Sequence, residues 1–441
     1  MTPFVAPLDW LFGLEQFGIK LGLDNISTIL DALGRPERAF RSIHIGGTNG
    51  KGSVTAMVDE ALRAAGHRCA RYTSPHLMDL SERFVIDGRP VSQASMIDAV
   101  EHVRATVDAL HGNGALGVQP TFFETTTAIA FELFKRAGVE VAVCEVGLGG
   151  RLDATNVLQP IACAVASIGF DHQQHLGNTL TDIAAEKAGI VKAATPVVIG
   201  RMPAEAREVI AARAQAAGAP AIDAWDGVEV VRLDIFRVRA DATVSQVPTR
   251  VRLHTPVRDY GEFSLGLPGE HQIDNAVVAV RVAEAIDRVI GVPPAAVLRG
   301  LRDVRWPGRI DTRKLPDGRE VLLDAAHNAD GATALAAFLT SQSKERRPLV
   351  FAAMRDKDSS AMLRALLPAV SELIVTQAST PRSADPAALA ELAKQIMPSV
   401  PVRVEPRLAD ALAAAWAHAP RITVAGSIFL LGDALKELAL A

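Results

Sequence analysis

Ile43-His44-Ile45-Gly46-Gly47-Thr48-Asn49-Gly50-Lys51-Gly52-Ser53 decides how the rest of the chain is read. It joins a short strand-like segment, residues 41–45, to residues 54–65, whose apolar positions recur at helical spacing. The glycines between them permit positive φ and let successive N–H groups turn toward one point. The following helix offers its N-terminus, where unpaired N–H groups and the helix dipole favour an anion. Lys51 adds a point charge. Strand, glycine-rich loop and helix in that order are the setting of a phosphate-binding loop. Thr48, Asn49, Gly50, Lys51, Gly52 and Ser53 are the candidate contacts. The spacing departs from the strict phosphate-loop pattern, because Gly52 separates Lys51 from Ser53. A tight turn carrying a solvent-facing lysine is the plainer alternative.

The same alternation spreads outward. Residues 121–136 read as a helix, 139–146 and 161–168 as buried strands, 179–191 as a helix and 196–199 as another strand. This pattern predicts a parallel sheet covered by helices on both faces. Residues 226–267 break it. Segments 228–231, 236–239, 251–254 and 263–267 follow one another as strands with no helix between them, which predicts an antiparallel insertion or an edge extension. Helix returns at 273–290. A cluster of Pro and Gly from Gly291 to Gly308 suits a connection between domains, and alternation then restarts from Val321 to the end. The expected architecture is α/β in two domains. Residues 1–303 form a P-loop ATPase-like unit, a mostly parallel sheet with an antiparallel extension. Residues 304–441 form a Rossmann-like α/β unit.

Composition narrows the function classes. The chain has 441 residues and a net charge of −4, with 49% apolar and 22% charged residues, which excludes wholesale disorder. Slight acidity gives no electrostatic footprint for nucleic acid. No apolar run approaches the roughly 18 residues of a membrane span. The three cysteines, Cys69, Cys144 and Cys163, support neither a disulfide framework nor a zinc spacing, so a reducing cytoplasm is expected. The apolar Trp10-Leu11-Phe12 patch is interrupted by nearby acids and lacks a basic leader, so no targeting segment is expected.

Residues 47–53 resemble the variant phosphate loop of the folylpolyglutamate and dihydrofolate synthases, members of the Mur ligase superfamily. Further segments are similar to that family in the same order. Tyr72-Thr73-Ser74-Pro75-His76-Leu77 resembles a segment whose serine helps ligate magnesium, which implies that role for Ser74. Cys144-Glu145-Val146-Gly147-Leu148-Gly149-Gly150 ends a strand in a carboxylate and a glycine loop, and the resemblance makes Glu145 a magnesium ligand. Its continuation, Arg151-Leu152-Asp153-Ala154-Thr155-Asn156, resembles bacterial enzymes that also make dihydrofolate, and implies substrate contacts for Arg151, Asp153 and Thr155. In Gly169-Phe170-Asp171-His172-Gln173 only the resemblance makes His172 a metal ligand, since magnesium prefers oxygen. Glu186-Lys187-Ala188-Gly189 resembles a helix whose lysine is carbamylated, which points to Lys187. A carbamate needs an unprotonated amine, hence burial.

In the later motifs, Asn275 corresponds to an asparagine that touches ATP, and Arg309 of Trp306-Pro307-Gly308-Arg309 to an arginine that reaches the nucleotide phosphates. Leu322-Leu323-Asp324-Ala325-Ala326-His327-Asn328 implies that Asp324, His327 and Asn328 hold nucleotide and substrate groups. Gly426-Ser427 implies a place for Ser427 near the adenine. Phe429 stands where some members have tyrosine.

The resemblance implies an ATP- and Mg²⁺-dependent ligase. It would join L-glutamate to a folate or pteroate carboxylate through an acyl phosphate, with Lys51, Lys187, Asp324 and His327 in catalysis and residues 1–303 as the ATP-binding domain. A monomer without nucleic-acid or membrane partners is the accompanying expectation. Three alternatives stay open: folylpolyglutamate synthase activity alone, a muramyl-type amino-acid ligase, and a phosphate-loop switch. Only about 45 residues precede the loop, too few for the extra N-terminal domain of the muramyl ligases.

Overall fold

Apolar strands flanked by turn residues make the scaffold, and their alternating side chains build a core on each face. The computed structural model describes residues 6–18, 20–233, 249–342 and 345–440. Eight strands form the first sheet: β1 (Arg41–Gly46), β2 (Cys69–Tyr72), β3 (Phe84–Ile86), β4 (Arg89–Pro90), β5 (Val141–Glu145), β6 (Ala162–Val165), β7 (Val197–Ile199) and β8 (Ala221–Asp223). Their order is β4-β3-β2-β5-β1-β6-β7-β8. All neighbours run parallel except β2–β3 and β3–β4.

Within β1, Ile43 and Ile45 face a core shared with helices Lys51–Ala64, His271–Ile290 and Pro294–Asp303. Ala142 and Cys144 of β5 face the opposite side, against helices Gln93–Gly112 and Phe122–Arg136. On that side Cys163 and Val165 of β6 meet helices Leu180–Ala188 and Ala204–Ala216. The pairing of β1 between β5 and β6 is what assembles the site. Ile45 lies opposite Glu145 and Gly46 opposite Val165. Three loops leaving these carboxyl ends therefore meet at one edge of the sheet, where open α/β sheets hold ligands.

The break at 226–267 is an insertion rather than an extension of the main sheet. Strands β9 (Glu229–Arg232), β10 (Arg250–His254) and β11 (Asp259–Ser264) make a separate antiparallel sheet in the order β11-β10-β9. Leu253 and Tyr260 seat it on the core beside the His271–Ile290 helix. The last strand ends at Ser264, earlier than the 263–267 expected, and the expected strand at 236–239 lies outside the described residues.

The third sheet contains β12 (Asp311–Lys314), β13 (Glu320–Asp324), β14 (Arg347–Phe351), β15 (Val370–Val375), β16 (Val402–Val404) and β17 (Arg421–Ala425), ordered β12-β13-β17-β14-β15-β16. Only β12 is antiparallel to its neighbour. Leu322 and Leu349 point to one core, Val321 and Val350 to the other. Among the described residues no helix is long and apolar enough to cross a membrane.

Candidate active site

Gly47 (φ 137°) and Gly50 (φ 83°) bend the loop after β1, and Gly50 precedes the Lys51–Ala64 helix in left-handed conformation. Both positions are also crowded. A Cβ on Gly47 would lie 3.1 Å from the Ala166 and Ser167 nitrogens, and one on Gly50 would run into the Asn275 side chain. On Gly52 it would meet the Trp306 ring at 2.8 Å. Only glycine fits, so the loop's shape is set jointly by backbone and neighbours. Thr48 is occupied internally: its hydroxyl donates to the Gly169 carbonyl and accepts from the Gly169 N–H, both at 3.1 Å. Asn49 is tied through its backbone to the Ser167 hydroxyl. Gln272 donates to the buried Ser53 hydroxyl at 3.3 Å, and Asn275 donates to Gln272 at 2.9 Å.

Two lysines converge on one carbonyl. Lys51 Nζ donates to Gly47 O at 3.1 Å and to Thr48 O at 3.2 Å, and Lys187 Nζ donates to Gly47 O at 3.0 Å. Burial, aided by the charge of Lys51, pushes the Lys187 ammonium down to about 7. Lys51 is also lowered by burial, against the pull of Glu145 and Asp171. Glu145, at the end of β5, is pushed up to about 7 by burial, opposed by Lys51, the Ser74 N–H and Arg309. It accepts the Ser74 N–H at 3.4 Å. A buried carboxylate held near neutrality beside a serine fits a hard cation. Magnesium commonly takes one or two carboxylates and completes its shell with water and phosphate oxygens.

His172 fits that role less well. Its Nε2 lies 3.2 Å from Lys357 Nζ, facing the second domain. Among the described residues no group of three or more His, Cys, Asp or Glu is arranged to hold a metal.

The segment after Gly150 divides. Arg151 is exposed and pairs with Glu186 at 2.8 Å. Thr155 is wholly buried. Its hydroxyl donates to Asp153 and accepts from His44 Nε2 at 2.8 Å. Burial pushes His44 down to about 3, so the ring is neutral there. Asp153 is raised by burial and accepts the Leu148 N–H at 2.7 Å. The hydroxyl thus braces Asp153 and the loop.

The second domain supplies the opposite wall. Asp324, buried at the end of β13, accepts the Ile310 N–H at 2.7 Å, which fixes the backbone beside Arg309. Burial raises its carboxyl against the guanidinium of Arg309. Asn328 bridges the domains, donating to Asn49 Oδ1 at 3.0 Å and to Asp171 Oδ2 at 3.2 Å. His327 Nδ1 donates to Ala325 O at 2.9 Å, and its Nε2 lies 3.4 Å from Asp171. Ser427 is buried and caps the Ile428–Glu437 helix through the Phe429 N–H, while the Phe429 ring is 41% exposed.

Two residues escaped the sequence reading. Lys357 Nζ reaches Asp171 Oδ1 at 2.5 Å, with side chains only 6% and 8% exposed. Burial alone would raise Asp171, but the hydrogen bond and charge of His327, with His172 and Lys357, hold it well below the carboxylate range. Asp171 stood next to a quoted histidine, and Lys357 follows a strand end, β14. Nothing local marks them as partners across 186 residues.

Comparison with known proteins identifies the family. Residues 93–283 match the Mur ligase middle domain, and residues 308–428 match the Mur ligase glutamate ligase domain. The dihydrofolate synthase/folylpolyglutamate synthase of Mycobacterium tuberculosis is 38% identical, over 89% of this chain and 82% of its own. A probable bifunctional folylpolyglutamate synthase/dihydropteroate synthase of Haloferax volcanii is 34% identical over 97% of this chain, which spans only 49% of that protein. The crystal structure of the M. tuberculosis folylpolyglutamate synthase complexed with ADP and AMPPCP superimposes with a TM-score of 0.88 at 35% identity, covering 98% of both chains. On these matches the chain belongs to the dihydrofolate synthase/folylpolyglutamate synthase family of Mur ligases.

Proposed function

We propose that this chain joins L-glutamate to dihydropteroate, giving dihydrofolate, and to tetrahydrofolate, giving polyglutamates, with ATP activating the carboxylate. A carboxylate is a poor acylating agent. Attack of its oxygen on the γ-phosphorus forms an acyl phosphate and releases ADP. The glutamate amine then attacks the acyl carbon, phosphate leaves, and the amine loses a proton.

The observation that carries this reading is the convergence of Lys51 and Lys187 on the Gly47 carbonyl, with Asn328 crossing from the other domain to Asn49. In this reading Lys51 and the helix N-terminus neutralise phosphate charge, and Arg309 does so from across the cleft. Glu145 and Ser74 would hold Mg²⁺, which supplies charge stabilisation when bound. Lys187, near neutrality, is available for carbamylation. Asp324 holds the Arg309 turn, and His327 and Asn328 orient substrate groups. Closure of the second domain excludes water from the acyl phosphate. The reading takes residues 1–303 and 304–441 as the two domains, and a monomeric cytoplasmic enzyme with no nucleic-acid or membrane partner. The net charge of −4 supports the absence of nucleic acid.

The test is ADP release with Mg-ATP, L-glutamate and either dihydropteroate or tetrahydrofolate, with product masses recorded. Turnover with both acceptors and the mass gain of one glutamate are expected. Turnover with tetrahydrofolate alone would remove the dihydrofolate synthase half. ADP release that ignores glutamate would overturn the ligase.

A further inference from the structure

The loop that carries Ser74 is built in an unusual way. Its base is closed by the Thr73 N–H donating to the Arg83 carbonyl at 3.2 Å, and Arg83 Nε donates to His76 Nδ1 at 2.9 Å. Between these points the Glu82 carboxylate accepts three successive backbone N–H groups: Leu77 at 2.7 Å, Met78 at 2.8 Å and Asp79 at 2.8 Å. The Asp79 contact is the ordinary half of a capping box around the short turn Leu80–Arg83. The other two are not needed to start a turn. They hold the loop itself in one shape.

That shape reaches both domains. At one end the Ser74 N–H rests on Glu145. At the other, Leu77 and Met78 pack into the core formed by β13, β14, β17 and the Ile428–Glu437 helix. The fit is close. A Cβ on Gly432 would collide with the Leu77 carbonyl, and one on Gly308 would stand 3.0 Å from Leu431 and 3.7 Å from Leu77. Gly308 directly precedes Arg309. The loop is therefore a strut, with its first-domain end on the candidate cation ligand and its second-domain end beside the phosphate-facing arginine.

We infer that Glu82 is a positioning residue: by fixing the 74–82 loop, it makes the seating of the second domain set the geometry of Ser74 and Glu145. This rests on the reading of Ser74 and Glu145 given above. Glu82 touches no reacting atom in that scheme. It acts through the backbone of Leu77–Asp79.

Two variants act on the two ends of the strut. Glu82→Gln keeps the size but turns an NH₂ toward donors that need an acceptor, which loosens the loop from inside. Gly432→Ala pushes on Leu77 from the other domain. The first readout is calorimetric binding of ADP with and without Mg²⁺, which needs neither folate nor turnover. The second is the Mg²⁺ concentration at half-maximal rate. Each variant is expected to weaken the Mg²⁺-dependent part of ADP binding and raise the Mg²⁺ requirement by about tenfold, the scale seen when groups behind a metal ligand are changed. ADP binding without Mg²⁺ should stay unchanged, and the double variant should be no worse than the stronger single one, because both act on one element.

A lower melting temperature with unaltered Mg²⁺ dependence in both variants would reduce Glu82 to a helix cap and overturn the inference. So would multiplying effects in the double variant. Should Glu82→Gln fail to fold, Glu82→Asp, which keeps the carboxylate but shortens its reach to the three N–H groups, takes its place in both readouts. Failure of glutamate ligation by the unaltered chain would count against the reaction, whereas the ADP–Mg²⁺ measurement judges the strut on its own.

Discussion

The two walls of the cleft are stabilised by opposite means. In the first domain Lys51, Lys187 and Glu145 are charges drawn out of water with few partners, and burial pushes each toward neutrality. Facing it is the polar seam of Asp171, Lys357, His327 and Asn328. Its carboxylate is fully engaged and held ionised. A buried group without partners costs free energy that a ligand of opposite charge recovers. In the proposed function the first wall is therefore the one that takes phosphate and a cation, while the seam already satisfies itself and gains by joining domains. An active site can store its readiness in one half and its cohesion in the other.

Removing a charge from the unbalanced wall should harm turnover far more than folding. Lys51→Met is expected to lower the ATP-dependent rate by about 10³-fold or more, the scale of losing a phosphate-neutralising group, with the melting temperature equal or higher. A lower melting temperature with little rate loss would erase the contrast, and steady-state kinetics beside a thermal scan decides it.

Lys187 sharpens the contrast through pH. Its folded value of about 7 lies below the ordinary 10.5, so between these limits the unfolded chain binds more protons. Stability contributed by this position therefore rises with pH across that window. Below about pH 7 the lysine is charged in both states and the full burial penalty stands. Relative to Lys187→Met, the unaltered chain should gain stability, on the order of a few kcal/mol, between roughly pH 7 and pH 10. Denaturant titrations at several pH values would show it, and a flat difference would mean that the ammonium is not desolvated.

The seam should behave in the opposite manner. Asp171→Asn leaves Lys357 buried without its counter-charge, at a cost of about 3 kcal/mol, and Asp171→Asn with Lys357→Met should recover much of it. Denaturation midpoints of the two singles and the double form the cycle; strict additivity would dissolve the pair. The smallest effect is expected at Thr155→Val, which removes one hydroxyl between His44 and Asp153 for about 1–2 kcal/mol. Turnover with dihydropteroate should fall more than turnover with tetrahydrofolate. Equal losses with both acceptors would detach this loop from acceptor choice.

How much of this was legible in the chain depends on distance along it. The phosphate loop was readable because strand, glycines and helix are contiguous, and Lys51 stood among them. The strand ends carrying Glu145 and Asp324 followed from short apolar runs. The burial of Thr155 was not legible, because exposure is not encoded in a motif. The insertion at β9–β11 could be recognised as antiparallel, but its separation from the main sheet could not.

The order of apolar runs, glycines and prolines was sufficient for an α/β chain in two domains, while most candidate site residues were named by the family resemblance. Those are properties of adjacent residues, governed by backbone freedom and by the period of burial. The partnership of Asp171 with Lys357, the sharing of the Gly47 carbonyl by Lys51 and Lys187, and the seating of Leu77 on Gly432 belong to the tertiary structure alone. Each joins positions far apart in the chain, and each depends on desolvation or steric fit, which exist only once the domains have packed.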